Sequence, residues 1–150
     1  MSEEVLTAQT AEEYQPDFEI LYEDNHILVV QKPQMVACCP DESKDDNLFD
    51  KIKRYLKIKY NKPGNVYVGL VHRLDRPTGG VMVFAKTSKA ASRLSEQVRD
   101  KKMHKKYLCI VDGKMEKEKG YMRDFLLKNE KTNTSKVVNE GTKNAKEALL

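Results

Sequence analysis

The chain has 150 residues, of which 39% are hydrophobic and 33% are charged. This composition is typical of a soluble protein with a modest core, and the length fits one domain. No apolar run approaches the roughly 20 residues that a membrane-spanning helix needs, and the acidic N-terminus lacks a secretory signal pattern. We therefore expect a cytoplasmic, monomeric protein that does not bind a membrane.

Charge is distributed unevenly along the chain. The net charge is +4, but residues 1–24 contain eight acidic residues and no lysine or arginine, so the rest of the chain is strongly basic. A basic body favours a polyanionic partner such as nucleic acid. On charge alone, solvated lysine-rich helix faces explain the excess equally well.

The three cysteines, Cys38, Cys39 and Cys109, do not have metal-binding spacing and include no Cys-x-x-Cys pair. We expect them to be reduced thiols. The cysteines therefore predict neither a metal site nor a disulfide.

The first third of the chain predicts a tail, two strands and a helix. Residues 1–16 are polar and acidic, which is typical of a flexible tail. Residues 18–22 and 26–30 predict strands joined by a turn, and Pro33 ends the second. Apolar residues then recur at helical spacing from Leu48 to Tyr60, with Asn47 placed to cap the first turn.

The rest of the chain alternates apolar runs with a second helix. Residues 66–71 and 81–85 predict strands, and Ser88 is expected to cap a helix with Ala91, Leu94 and Val98 on its apolar face. Residues 107–111 predict another strand, and residues 121–127, 136–139 and 145–150 are weaker candidates. Strands and two helices without regular alternation predict an α+β fold with a mixed or mainly antiparallel sheet.

Residues 72–80 (His-Arg-Leu-Asp-Arg-Pro-Thr-Gly-Gly) lie between two predicted strands and contain one acid, two guanidinium groups and one imidazole. The proline and the glycine pair predict a loop. Rigid flanking strands suit a catalytic carboxylate, because they fix its position. The alternative for Asp75 is a turn residue that bonds to its own backbone.

This loop resembles the His-Arg-Leu-Asp motif of the RluA-type pseudouridine synthases, which isomerise uridine in RNA. That family usually continues with Thr-Ser-Gly, whereas this chain has Thr78-Gly79-Gly80. The resemblance also includes residues 83–91, Lys106-Tyr107, and residues 27–33 with their Lys32-Pro33 turn. It implies the pseudouridine synthase fold, a long sheet flanked by helices with a central cleft. We therefore expect residues 17–150 to be the N-terminal part of a catalytic domain.

The resemblance implies that Asp75 is the catalytic residue, acting as a nucleophile or as a base. Arg73 is expected to contact RNA near the extruded nucleotide. Tyr107 is expected to stack on the flipped base, although a tyrosine at the start of a strand is more often a core residue. The isomerisation adds and removes nothing, so we expect no cofactor and no metal.

Three further residues are candidate RNA contacts, namely His72, Arg76 and Lys106. A loop salt bridge is an equally good interpretation of Arg76. For His72, the preceding apolar run favours a partly buried imidazole whose hydrogen bonds are satisfied. The expected partner is ribosomal or transfer RNA, and the sequence does not choose between them.

One family feature is missing from this chain. A later motif, similar to Gly-Arg-x-His-Gln-Ile-Arg, normally supplies an arginine that pairs with the catalytic aspartate, and nothing here matches it. We therefore expect a C-terminally truncated chain with weak or no activity, and a non-catalytic RNA-binding fragment is the main alternative. A kinase is not expected, because Gly80 stands where the metal-binding asparagine is required and no Gly-rich nucleotide loop precedes the motif. A glycosidase would need a second positioned carboxylate.

Overall fold

The computed structural model describes residues 14–41, 45–132 and 134–150. Most of the predicted tail therefore lies outside the described residues. The chain forms two compact units, of which the first ends at Lys106 and the second is Tyr107–Leu150. Across the described ranges, no helix is both long enough and apolar enough to cross a membrane. The assignment of residues 17–150 to one catalytic domain stays a prediction.

The first unit contains a four-stranded antiparallel sheet. Its strands are β1 (Glu19–Glu23), β2 (Ile27–Lys32), β3 (Gly69–Leu70) and β4 (Gly80–Ala85), in the order β1-β2-β4-β3. The two central strands pair along their full length, with Ile27 opposite Ala85 and Lys32 opposite Gly80. This register places the start of β4 beside the end of β2. The antiparallel strands, together with the two helices of the unit, confirm the predicted α+β class.

Helix α1 (Leu48–Lys59) packs against one face of this sheet. The period-two pattern of β2 and β4 directs alternate apolar side chains to that face. The core consists largely of these side chains and the apolar face of α1, namely Leu28, Val30, Leu48, Ile52, Leu56, Met82 and Phe84. Burial of an apolar side chain of this size stabilises the fold by about 1.5–3 kcal/mol.

Both helices begin at a capping side chain. The predicted cap of α1 is confirmed, since the Asn47 side chain accepts a hydrogen bond from the Asp50 amide at 3.0 Å. The predicted cap of α2 (Ser88–Arg99) is wrong by one residue. Thr87, which has extended backbone angles, accepts a hydrogen bond from the Ala90 amide, and Ser88 is the first helical residue.

Helix α2 approaches the sheet closely at Gly69. A Cβ atom at this position would lie 2.8 Å from the Cβ of Ala91, so only glycine fits without a shift. The predicted strand over residues 66–71 is largely wrong, because only Gly69–Leu70 pairs with β4. Val66 and Val68 are nevertheless buried in the core, which explains their apolar pattern.

The second unit is a three-stranded antiparallel sheet of β5 (Arg123–Asn129), β6 (Thr134–Val138) and β7 (Lys146–Leu149), in the order β6-β5-β7. The three weaker strand candidates are therefore confirmed, with ends shifted by up to two residues. The strand expected over residues 107–111 is not present. This segment pairs with no strand in the described ranges, and its Leu108 and Ile110 are fully exposed.

Candidate active site

Residues 71–79 connect β3 to β4, which are antiparallel neighbours, and form the predicted loop. Within it, the Thr78 amide donates a hydrogen bond to the Asp75 carbonyl at 3.0 Å, so Asp75 begins a tight turn. The Asp75 side chain is exposed. No described residue donates a hydrogen bond to its carboxylate, which leaves both oxygen atoms available to a ligand.

The residue before Asp75 is attached to the core. Leu74 packs against the hydrophobic cluster. Its carbonyl oxygen accepts a hydrogen bond from the thiol of Cys38 at 2.8 Å, and its amide donates one back to the same sulfur at 3.3 Å. Cys38 itself is buried, with 5% of its surface exposed. The backbone that precedes Asp75 is therefore anchored to the core by Cys38 and by the packing of Leu74.

The residue after Asp75 is held by a buried lysine. Lys32 is fully buried, and its Nζ donates a hydrogen bond to the Arg76 carbonyl at 3.1 Å. Two further hydrogen bonds join Nζ to the carbonyl oxygens of Pro33 and Val36. The loop and the Lys32-Pro33 turn are thus joined by one ammonium group. The sequence predicts the turn but not the burial of Lys32. The pattern that could have indicated it is the two-residue spacing of Leu28, Val30 and Lys32, which places all three on the same face of β2.

The two arginines of the motif lie in different environments. The Arg76 guanidinium bonds to the carboxylates of Asp41 and Asp45 at 2.9 and 2.8 Å, and these hydrogen bonds raise its pKa. Arg73 is exposed, and no described residue forms an ion pair or hydrogen bond with its side chain. The structure therefore supports the salt-bridge interpretation of Arg76, and the role of Arg76 in RNA binding stays a prediction.

His72 is half-buried beside β4. Its Nε2 accepts a hydrogen bond from the Val83 amide at 3.1 Å, which agrees with the expected satisfied imidazole. Burial, together with the positive charge of Lys105, lowers the pKa of His72 and favours the neutral ring. A neutral imidazole that accepts through Nε2 carries its proton on Nδ1. Its RNA contact stays a prediction.

The remaining two candidates lie where the two units meet in sequence. Lys106 is the last residue of the first unit, Tyr107 is the first residue of the second, and both are exposed. An exposed Tyr107 does not agree with the core interpretation of this residue. Its expected role as the stacking partner of a flipped base stays a prediction.

A second polar cluster, which sequence reasoning missed, lies at the opposite end of β4. The Glu23 carboxylate accepts hydrogen bonds from Tyr55, Lys59, Tyr60 and Lys86 at 2.6–2.8 Å. Burial alone would raise the pKa of Glu23, but the two ammonium and two phenol groups together lower it to about 2. Every oxygen of this carboxylate is occupied, so we interpret the cluster as structural.

The described ranges hold no group of three or more His, Cys, Asp or Glu residues arranged to bind a metal. The loop at residues 71–79 thus presents a carboxylate, a guanidinium and a fixed backbone. The profile of the RNA pseudouridylate synthase family matches residues 26–150.

The chain belongs to the RNA pseudouridylate synthase family.

Curated members of the pseudouridylate synthase family are clearly similar in sequence. Ribosomal large subunit pseudouridine synthase C of Escherichia coli (strain K12) is 37% identical over 110 residues, which are 73% of this chain and 33% of that protein. Ribosomal large subunit pseudouridine synthase D of Borreliella burgdorferi is 34% identical over 111 residues, 71% of this chain and 34% of that protein. The chain spans about a third of the length of these relatives.

Solved pseudouridylate synthase structures share the fold. Human RNA pseudouridylate synthase domain containing 1 superposes with a TM-score of 0.65 at 21% identity, covering 89% of this chain and 50% of that one. Human RNA pseudouridylate synthase domain containing 4 gives a TM-score of 0.64 at 19% identity, covering 87% and 51%. The predicted pseudouridine synthase fold is confirmed.

Proposed function

We propose that this chain isomerises uridine to pseudouridine in RNA, with Asp75 as the catalytic carboxylate. The observation that carries the proposal is the environment of Asp75. Its backbone neighbours, Leu74 and Arg76, are both hydrogen-bonded to buried side chains, while its own carboxylate is exposed and accepts no hydrogen bond from a described residue. A fixed backbone with an open carboxylate is what a group that must reach a substrate atom requires.

The reaction sets what this carboxylate has to do. The bond from C1′ of ribose to N1 of uracil breaks, the base rotates, and a new bond forms from C1′ to C5. One hydrogen leaves C5 and one proton ends on N1, so the formula is unchanged. Asp75 could attack C1′ as a nucleophile or remove a proton from the sugar as a base. Either route places the carboxylate at the glycosidic bond.

Five further side chains are proposed to contact the RNA substrate. The exposed Arg73 guanidinium is suited to a phosphate or to the face of a base. Tyr107 supplies an aromatic ring for an unstacked base, and Lys106 adds a positive charge beside it. His72 and Arg76 are proposed to stabilise the conformation of the loop and to contact RNA.

Ribosomal RNA of the large subunit is the substrate class that we propose first, because the curated relatives carry that substrate in their names. Transfer RNA is the other candidate. The reaction as written needs no cofactor and no metal. We further propose that the protein acts as a cytoplasmic monomer.

The test replaces the carboxylate and keeps its shape. Because isomerisation releases the hydrogen on C5, RNA carrying tritium at C5 of uridine reports turnover as tritium in solvent. Because the family's later arginine motif has no match here, the unaltered chain should release tritium from large-subunit ribosomal RNA only slowly, and Asp75→Asn should abolish this release. Asp112→Asn, at an exposed position in the second unit, is the matched control and should keep the full rate.

RNA affinity separates catalysis from binding. Asp75→Asn should bind the same RNA within about threefold of the unaltered chain, because Asp75 supplies no positive charge to the phosphates. If the unaltered chain binds RNA but releases no tritium from ribosomal or transfer RNA, the non-catalytic RNA-binding alternative is correct. If Asp75→Asn keeps the full rate, another residue is the catalytic group.

A further inference from the structure

Arg76 is bound by two carboxylates from another segment of the chain. Its Nη1 lies 2.8 Å from an oxygen of Asp45, and its Nη2 lies 2.9 Å from an oxygen of Asp41. Both hydrogen bonds join opposite charges, and each carboxylate takes a different nitrogen of the guanidinium group. An arginine that binds a phosphate uses a similar pair of N–H donors. The two carboxylates therefore occupy donors that a phosphate group would use.

The segment that carries these carboxylates is anchored at both ends. The carbonyl oxygens of Ala37 and Cys38 accept hydrogen bonds from the amides of Leu48 and Phe49, at the start of α1, at 2.9 and 3.1 Å. The two carboxylates lie between these anchors in sequence. Because both ends of the segment are fixed, the carboxylates remain close to Arg76 and have a high effective concentration there.

All three side chains of this cluster remain accessible to water. The exposed fraction of the side chain is 34% for Arg76, 45% for Asp41 and 60% for Asp45. Ion pairs at such positions are weak, because water and salt screen them. A phosphate group that reaches Arg76 can therefore displace the carboxylates at little cost.

We propose that Asp41 and Asp45 compete with RNA phosphates for Arg76. Arg76 follows Asp75 directly in the loop, so RNA that approaches Asp75 also comes close to Arg76. Every RNA must displace the two carboxylates before it gains the Arg76 contact, and they therefore weaken RNA binding beside the proposed catalytic residue. A repulsive element of this kind limits binding to unsuitable partners. The inference rests on the proposed function, because it takes RNA as the partner, but it does not depend on catalysis by Asp75.

Salt dependence distinguishes this competition from general repulsion. Each phosphate that a protein cation neutralises on a single strand releases counterions and adds about 0.7 to the slope of log affinity against log salt. In the unaltered chain, Arg76 gains a phosphate but leaves two carboxylates, which attract counterions in turn. The net contribution of Arg76 to the slope is therefore small. Without the carboxylates, Arg76 contributes the full amount.

The test is a double-mutant cycle between Arg76 and its two partners. Fluorescence anisotropy over a range of salt concentrations measures the binding of a fluorescein-labelled oligouridylate. The variants are Asp41→Asn/Asp45→Asn, Arg76→Ala, and the combination of all three substitutions. Asp45→Asn and Asp46→Asn are compared as a matched pair. Asp46 is also exposed and adjoins Asp45 before the cap of α1, but no described residue forms an ion pair with it.

Asp41→Asn/Asp45→Asn should bind the oligonucleotide about three- to tenfold more tightly at low salt, because two weak ion pairs no longer compete. Its salt slope should steepen by about 0.7. Arg76→Ala should remove most of this gain, but it should change the affinity of the unaltered chain by less than about twofold. Asp45→Asn alone should give a smaller gain that also requires Arg76. Any gain with Asp46→Asn should be the same with and without Arg76→Ala.

The thermal midpoint of each variant shows whether it is folded, and Arg76→Gln replaces Arg76→Ala if the latter does not fold. Equal effects of the Arg76 substitution with and without the two carboxylates overturn the proposal, since the carboxylates then act only by general repulsion. Equal gains for Asp45→Asn and Asp46→Asn overturn it for the same reason.

The outcomes also separate this inference from the proposed function. A chain that binds RNA but releases no tritium refutes catalysis, and the binding cycle still decides whether the carboxylates compete for Arg76. If tritium is released from ribosomal RNA but the cycle shows no coupling between Arg76 and its partners, only this inference is wrong. If neither the unaltered chain nor any variant binds RNA, both are wrong.

Discussion

The thiol of Cys38 and the backbone of Leu74 form a reciprocal pair of hydrogen bonds. The sulfur donates to the Leu74 carbonyl oxygen at 2.8 Å and accepts from the Leu74 amide at 3.3 Å. Both backbone polar groups of Leu74 are therefore satisfied by one side chain from a segment 36 residues earlier. Buried backbone groups need such partners, because water does not reach them.

Cys38→Ala should lower the free energy of unfolding by about 1–3 kcal/mol, because two backbone groups lose their partner and a small cavity forms. Cys38→Ser should lower the free energy of unfolding by less than Cys38→Ala does, since the serine hydroxyl can also donate and accept hydrogen bonds. Urea denaturation measures both. Cys109→Ala, at an exposed position, is the control and should change the value by less than about 0.5 kcal/mol. Equal losses for Ala and Ser would contradict the hydrogen-bond explanation.

The Glu23 cluster predicts acid sensitivity. The pKa of Glu23 is about 2 in the folded chain, below its ordinary value of 4.5, so its contribution to stability is complete above pH 4.5. As the pH falls from 4.5 toward 2, the unfolded state takes up the proton first and this stabilisation is lost, on the order of 2 kcal/mol. Glu23→Gln should reduce the fall in the free energy of unfolding across this range.

Glu19→Gln is the control for Glu23, because Glu19 is an exposed carboxylate on the same strand, β1. Its pH profile of stability, measured by urea denaturation at a series of pH values, should match that of the unaltered chain. A Glu23→Gln profile as steep as that of the unaltered chain would show that other carboxylates cause the acid sensitivity.

Gly69 should not tolerate a side chain. Gly69→Ala places a Cβ atom 2.8 Å from Ala91 Cβ and 3.1 Å from Ala85 Cβ, and neither methyl group can rotate away. We expect a loss of about 1–3 kcal/mol in the free energy of unfolding. Gly64→Ala, which has nothing within 4 Å of its new Cβ, should be neutral or slightly stabilising. Similar stability of the two variants would show that α2 moves away from the sheet at little cost.

The two motif arginines should differ in their effect on RNA binding. Arg73→Ala should lower the slope of log affinity against log salt by about 1, since one phosphate contact is lost. Arg76→Ala should have a smaller effect on that slope, because the Arg76 guanidinium is already paired with Asp41 and Asp45. Fluorescence anisotropy over a range of salt concentrations measures both. Equal slopes for the two variants would contradict this difference.

The parts of the fold that the sequence predicts well depend on local chemistry. Apolar spacing and the Asn47 cap locate α1 because both signals act within a few residues of the helix start. The strand predicted over residues 107–111 is wrong because strand formation depends on distant residues. Its alternation resembles a strand, but a strand forms only where a partner supplies backbone hydrogen bonds, and no residue pattern within the segment reports that partner.

In the candidate site, too, the sequence predicts the residues that are close together along the chain but not the distant residues that support them. The motif places Asp75 and Arg73 on one loop, and the structure leaves both exposed there. The supports of that loop, Lys32 and Cys38, come from residues about 40 positions earlier, and their contacts depend on how β2 and β4 align. Sequence patterns describe neighbours along the chain, whereas these contacts form between segments that only folding brings together.

The uncovered side chains of Leu108 and Ile110 have a practical consequence for work on this chain. A stretch of β-forming residues with free amide and carbonyl groups is a template on which other copies of the same stretch can align. We therefore expect this segment to promote self-association at high protein concentration. Dilute samples, or a charged residue introduced at position 108 or 110, are the direct remedies.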